Sequence, residues 1–469
     1  MLGFPRLAGL PAAYLQQQMR EFANGRRASP IMMPIARALS PRQIEALATL
    51  YASRAGRSSG TGTLAGPGSD ADARSGAGHS ATFALGERLA NRGRWNDDVP
   101  ACVQCHGMGG SGVGSHFPAL VGQPAAYLQG QLRAWQNGSR DPGPMGLMGA
   151  IARKLSDADV AAVADYFGTG APAVPDLQAI ARSRPIPAGL PAQAGATQPA
   201  ARTFNPPPDA AMPAGEMGQT VRLGEQIFDN TTQYAPGYVG NRLRCSSCHL
   251  DAGRKANSAP LWAAYVAYPA YRSKNHHVNT FAERLQGCFV YSMNGKAPPL
   301  GDPILVALES YSYWLATGAP IDPNLPGRGY PKPARPHLPA NFKRGQQVFI
   351  QHCALCHGAD GAGQNAEDGS MAFPALWGDG SFNWGAGMAG IGNAAAFIQA
   401  NMPLSQGGTL NDQQAWDVAT YMDSHERPQD PRFLGSVQAT RAKFHDSVDS
   451  MYGRRVNGHL LGGGSVPVH

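Results

Sequence analysis

The chain has 469 residues, a formal charge of +7, only 15% charged residues, and 58 Gly, 39 Pro and seven Cys. That length predicts three or four domains, and sparse charge with abundant Gly and Pro predicts small domains on loose linkers rather than one large core. Lys and Arg are scattered with no basic run interleaved with aromatics, which argues against nucleic acid as a partner. The apolar run from Leu261 to Tyr268 is too short for a membrane span and stops at Pro269.

The chain opens on half of a repeat. Phe4-Pro5-Arg6-Leu7-Ala8-Gly9-Leu10-Pro11-Ala12-Ala13-Tyr14-Leu15 restates Phe117-Pro118-Ala119-Leu120-Val121-Gly122-Gln123-Pro124-Ala125-Ala126-Tyr127-Leu128. The match continues through Asn24-Gly25-Arg26-Arg27 against Asn137-Gly138-Ser139-Arg140, with roughly 60% identity over about 24 positions. It resumes at Ile35-Ala36-Arg37 against Ile151-Ala152-Arg153. The later copy is preceded by Cys102-Val103-Gln104-Cys105-His106, and the first copy has no such run before it. Residues 1–52 are therefore expected to be a partial domain whose front half and export signal are encoded upstream.

Residues 53–80, rich in Ser, Gly and Thr, read as a linker. Residues 81–170 read as a whole small domain. One helix runs through Leu85 to Leu89, another from Ala125 to Trp135, and a third is capped by Ser156. A Pro/Ala-rich linker spans 171–214. Two further domains are expected at 215–333 and 334–430, and 431–469 reads as a C-terminal tail.

The Cys102 run recurs as Cys245-Ser246-Ser247-Cys248-His249 and Cys353-Ala354-Leu355-Cys356-His357. Two thiols and an adjacent imidazole at this spacing are the attachment pattern of c-type haem. A zinc site would need a second ligand pair at ribbon or finger spacing, and none follows any of the runs. The fold class expected is all-α, tandem cytochrome c-type domains. Three covalent haems are expected in this chain, with a fourth encoded upstream, and attachment after export predicts a periplasmic protein.

The sixth iron ligands are expected to differ. Met148 lies three residues before Ile151 as Met32 lies three before Ile35, so the repeat selects it over Met145. In the last domain Met371, Met388 and Met402 compete. Met402-Pro403 occupies the usual methionine-loop position, while Met388 in its Gly-rich stretch stays open. The middle domain carries the remaining cysteine, Cys288. Phe281, Leu285, Cys288 and Phe289 recur at helical spacing on one inward face, and Arg284, one turn earlier, shares the side of Cys288. A buried inert thiol would also satisfy this pattern.

Residues 215–430 resemble the dihaem thiosulfate dehydrogenases, which are related to the sulfur-oxidising SoxA cytochromes. The resemblance is carried by Arg244 to Arg254, Tyr268-Pro269-Ala270-Tyr271-Arg272, Asn279 to Phe289, Ser292-Met293-Asn294-Gly295 and Gly327-Arg328-Gly329-Tyr330-Pro331. Its most specific part is Gln286-Gly287-Cys288-Phe289. Residues 1–170 resemble instead a cytochrome of the c4 type, so the whole is similar to a dehydrogenase fused to its electron acceptor. The resemblance implies coupling of thiosulfate to tetrathionate, reversible as tetrathionate reduction. It implies Cys288 as both iron ligand and nucleophile opposite His249, with Arg284, Lys274 and Arg272 holding the anion. Some members carry an iron-ligating lysine beside the last methionine, where this chain has Asn401. The expected onward acceptor is a small cytochrome, a high-potential iron–sulfur protein or a terminal oxidase. Two rival readings are an electron carrier without substrate chemistry and a SoxA-like protein that needs a carrier partner.

Overall fold

The computed structural model describes residues 4–54, 81–168, 203–272, 275–322, 324–366 and 369–464. The chain divides into two compact units, Met1–Asp176 with Gln364–Phe373, and Leu177–Gly363 with Pro374–His469. The boundary read at 333/334 thus falls inside the second unit. Residues 55–80 and 171–202 of the two linkers lie outside the described residues. The remainder of the second linker packs on the domain that follows it. Phe204 meets Trp262 with ring centroids 5.3 Å apart, and Arg254 reaches Pro207 O and Asp209 at 2.7 Å.

One helix crossing recurs three times. Ala81–Asn91 crosses Asp157–Gly168, Gly215–Asp229 crosses Pro303–Leu315, and Phe342–His352 crosses Asp412–Asp423. Each crossing is set by a glycine. A Cβ on Gly86, Gly224 or Gly345 would lie 2.1, 2.0 or 2.0 Å from the carbonyl oxygen of Ala162, Ala307 or Asp417. Only a residue without Cβ lets the backbones approach that closely. An aromatic four residues beyond each carbonyl, Tyr166, Tyr311 or Tyr421, packs over the glycine. The apolar faces of these pairs form the cores: Leu89, Val163 and Phe167 in one, Ile227, Trp262, Leu308 and Trp314 in the next, and Phe349, Ala419 and Met422 in the last.

The fold is helical, with small additions. Two-stranded antiparallel hairpins form at Ala270–Arg272 with His277–Asn279, at Gln364–Asn365 with Met371–Phe373, and at Arg455–Val456 with His459–Leu460. Within the first unit, helix Ala12–Ala23 is followed by Met32–Ala38 and Pro41–Ser53, and the second repeat copy places Ala125–Gln136 and Leu147–Ala152 correspondingly.

Residues 431–464 are a packed part of the second unit rather than a trailing segment. They carry helix Val437–Phe444, bury Tyr452 and Leu461, and pack Tyr452 on Trp384 at 5.6 Å. The backbone N–H of Ile391 bonds Asp449 O at 2.9 Å. The buried Asp430 carboxylate holds Arg432 at 2.7 Å and His445 at 2.9 Å, and the two side chains keep its pKa far below the usual carboxylate range despite burial. Composition hides this element because few large apolar residues build it.

Candidate active site

The three motif histidines share one arrangement. Nδ1 of His106 donates to Pro118 O at 2.8 Å, Nδ1 of His249 to Ala259 O at 2.7 Å, and Nδ1 of His357 to Pro374 O at 2.9 Å. A carbonyl can only accept, so Nδ1 holds the proton and Nε2 presents a bare lone pair, the tautomer an iron ligand requires. Burial pushes all three imidazoles toward the neutral form. For His249 the value falls to about 4, opposed by the Ala259 carbonyl and helped by the charge of Arg284. Burial also pushes the thiols of Cys102, Cys245, Cys248, Cys353 and Cys356 up to about 12. Two thiols beside an imidazole that presents a bare Nε2 fit thioether attachment of haem with the histidine on its iron.

Around His249 the backbone coils tightly, with positive φ at Asp251, Ala252, Asn257 and Ala259. Ser258 staples the coil by accepting from Leu250 N and donating to Cys248 O, both at 3.1 Å. The Gly327–Tyr330 strap closes it, since Asn257 N bonds Gly327 O at 2.7 Å and Ala259 N bonds Gly329 O at 2.9 Å. This gives the Gly-Arg-Gly-Tyr segment a structural purpose. Tyr330 turns back to Cys248 O at 3.5 Å, and burial raises its phenol well above the ordinary value.

Cys288 sits where helix Phe281–Gly287 ends. Thr280 and Glu283 form a capping box at its start, with Thr280 Oγ1 accepting from Glu283 N at 3.2 Å and Glu283 accepting from Thr280 N at 2.6 Å. Phe281, Leu285 and Phe289 are buried in the core as their spacing predicts. From Cys288 to Ser292 the chain widens into a π-turn, a distortion that often marks functional sites. Arg284 Nη1 lies 2.8 Å from Cys288 Sγ. Cys288 is the foremost cause holding the Arg284 pKa above its ordinary value. Arg272 donates to the Tyr268 hydroxyl, and Tyr268 also acts electrostatically on Arg284. Lys274 lies outside the described residues.

Sequence reasoning missed the residues that hold the π-turn. Asn383 donates from Nδ2 to Val290 O at 2.9 Å and from its backbone N to Tyr291 O at 3.2 Å. Asn241 donates to Ser292 O at 2.9 Å, and Asn294 to Ser381 O at 2.6 Å. A widened turn leaves carbonyls without helical partners, and Asn383 and Asn241 satisfy those of Val290, Tyr291 and Ser292. The three residues beyond the Cys353 motif that matter here, Ser381, Asn383 and Asn401, all lie far from Cys288 in sequence; Asn401 donates to Asn257 O at 3.0 Å on the His249 coil.

Of the methionines, Met148 lies on helix Leu147–Ala152 and packs with Trp135 and Ile151 against Val99, Leu132 and Leu155. Met402 terminates helix Ile391–Asn401, Met388 lies in the turn Gly387–Ala389, and Met371 in the strand Met371–Phe373.

Fold and site define a multidomain c-type cytochrome, and the cytochrome c family matches residues 84–171 and 342–426. The chain is 59% identical over 264 residues to the thiosulfate dehydrogenase of Thiomonas intermedia, covering 56% of this chain and 84% of that protein. A further 165 residues, 35% of this chain, are 46% identical to the thiosulfate dehydrogenase electron acceptor of the same organism, covering 70% of it. The solved thiosulfate dehydrogenase (TsdBA) of Marichromatium purpuratum is 45% identical, with a TM-score of 0.85 over 99% of this chain and 93% of that one. The chain belongs to the thiosulfate dehydrogenases, in the form that joins the dehydrogenase and its acceptor cytochrome.

Proposed function

We propose that this chain couples two thiosulfate ions into tetrathionate at Cys288 and passes the two electrons to its own acceptor cytochrome. The observation that carries the reading is the Arg284 guanidinium 2.8 Å from the Cys288 thiol, one turn apart on a helix that ends in a π-turn. Cys102/Cys105, Cys245/Cys248 and Cys353/Cys356 would hold the haems, which would supply one-electron acceptors. His106, His249 and His357 would bind the irons through Nε2. Met148 and Met402 would be the further ligands at two of the sites, and Cys288 at the third.

The chemistry at Cys288 balances in two steps. The thiolate bonds the sulfane sulfur of one thiosulfate, giving a cysteine S-sulfanesulfonate and releasing two electrons. A second thiosulfate then attacks that sulfur, forming tetrathionate and returning the thiolate as leaving group. Each step brings anions together, so fixed positive charge is what lowers the barrier. Arg284 supplies it beside the thiol, with Arg272 and Lys274 holding sulfonate oxygens. The same groups serve tetrathionate reduction when electrons are supplied. The protein works in the periplasm with three covalent haems in these residues, and hands electrons on to a small cytochrome, a high-potential iron–sulfur protein or a terminal oxidase.

Cys288→Gly tests the reading. The variant should retain every covalent haem by pyridine haemochrome assay and lose tetrathionate formation. Near wild-type turnover in that variant would leave an electron carrier without substrate chemistry.

A further inference from the structure

The proposed nucleophile stands at a weak point of the backbone. Cys288 closes a helix of seven residues, Phe281–Gly287, which is too short to hold itself together in water. The last turn of a helix is also where carbonyls lose their partners and the chain frays. Yet every backbone carbonyl from Cys288 to Met293 is taken. Met293 N donates to Cys288 O at 3.0 Å, Gly295 N to Phe289 O at 2.9 Å and Gly240 N to Met293 O at 2.8 Å. Between them, Asn383 serves Val290 O and Tyr291 O, and Asn241 serves Ser292 O.

The two asparagines are built alike. Asn383 Oδ1 accepts from Gly385 N at 3.0 Å, and Asn241 Oδ1 accepts from Leu243 N at 3.1 Å. Each bond closes a turn onto the backbone two residues on, a habit of asparagine in loops. A backbone N–H can only donate, so the oxygen of each amide is committed to its own loop and the NH2 faces the turn after Cys288. Both side chains are withdrawn from water, Asn383 completely. The two loops are also tied to each other, since Asn241 donates a second time, to Ser381 O at 3.2 Å. The amides therefore meet the turn with their orientation already fixed.

We infer that Asn383 and Asn241 are positioning residues for Cys288, their side-chain donors holding the π-turn and so keeping the thiol in one place at its helix terminus. This rests on the reading of Cys288 as the nucleophile. Both residues act through the backbone that follows the thiol. Without their donors, Cys288 O can exchange Met293 N for the α-helical donor, Ser292 N, and the turn slips by one residue. Arg284 lies on the helix before the turn, so the clamp bears on the sulfur more than on the guanidinium.

The test uses the full chain with its haems attached. Asn383→Asp has the same shape and keeps the acceptor for Gly385 N, but loses the donor to Val290 O. Asn241→Asp likewise keeps the acceptor for Leu243 N and loses the donor to Ser292 O. In each variant kcat for tetrathionate formation should fall about tenfold, since a displaced reacting atom loses its alignment. KM for thiosulfate should stay within about twofold, because Arg284 precedes the turn. Labelling of Cys288 by iodoacetamide, followed by mass spectrometry of its peptide, should speed up about tenfold as the turn opens locally and releases the thiol. Wild-type kcat and labelling in both variants would overturn the inference, leaving the asparagines to serve only their own loops. Labelling that rises only in step with the unfolded fraction, read from thermal unfolding, would overturn it too. If Asn383→Asp does not accumulate, Asn241→Asp decides in the same sense. Cys288→Gly separates the clamp from the reading beneath it: tetrathionate formation surviving in that variant sinks the reading, whereas its loss there beside two unchanged Asp variants sinks the clamp alone.

Discussion

The Cys245 and Cys353 sites of the second unit are built on the same frame and put to different uses. Each has a glycine-set helix crossing, a Cys-x-x-Cys-His run and a histidine whose Nδ1 is tied to a carbonyl before or within a proline-containing turn. They diverge at the end of a later helix. After the Cys353 motif, helix Ile391–Asn401 ends at Met402, a neutral thioether. After the Cys245 motif, helix Phe281–Gly287 ends at Cys288 with an arginine on its sulfur. On the proposed reading a carrier becomes an enzyme by changing one helix terminus and adding a cation, with the histidine side left alone.

Exchanging the two termini should break this comparison most severely. Cys288→Met should reduce tetrathionate formation by about 10³-fold or more, as loss of a nucleophile does. It should also raise the midpoint of that haem, because a thioether favours ferrous iron where a thiolate favours ferric. Activity assay and redox titration check both, and a variant that stays active would place the difference elsewhere. Next in size, Arg284→Ala should lower kcat/KM for thiosulfate by roughly 10²–10³-fold, the scale of a lost oxyanion donor, with haem content unchanged. The shared frame gives a third, smaller effect. Gly224→Ala and Gly345→Ala should each destabilise the protein by about 1–3 kcal/mol in thermal or denaturant unfolding, since either Cβ meets a carbonyl oxygen at 2.0 Å. A large difference between the two would show that the crossings are not equivalent. The smallest effect belongs to the start of the cysteine helix, where Thr280→Ala should cost about 1 kcal/mol by removing the cap.

How much of this was legible differed by the range of the interaction. The attachment motifs, the helices around Leu89 and Leu128 and the Arg284–Cys288 pair depend on residues close in sequence, and spacing alone places them. The carbonyl supports were overlooked, although two have a visible signal. Phe117-Pro118-Ala119-Leu120 recurs as Phe373-Pro374-Ala375-Leu376, and in each the proline carbonyl receives the histidine. Ala259, which does this for His249, is followed by Pro260-Leu261. Asn383 offered no comparable signal. Its partners, Val290 and Tyr291, are engaged through backbone carbonyls, which every residue type possesses, and they lie some ninety positions earlier. The residues beyond 431 were unreadable for another reason. Their cohesion comes from a buried carboxylate that holds Arg432 and His445 rather than from apolar periodicity.

Those last residues also bear on what haem content can report. Tyr452 wedges against Trp384, whose neighbour Asn383 holds the turn after Cys288. A chain cut after residue 430 still contains every cysteine of the sequence and so keeps all three attachment motifs. It would lack the wedge behind that turn. Cofactor loading and support of the turn are thus separable, and an assay that counts haems would pass a polypeptide without that support.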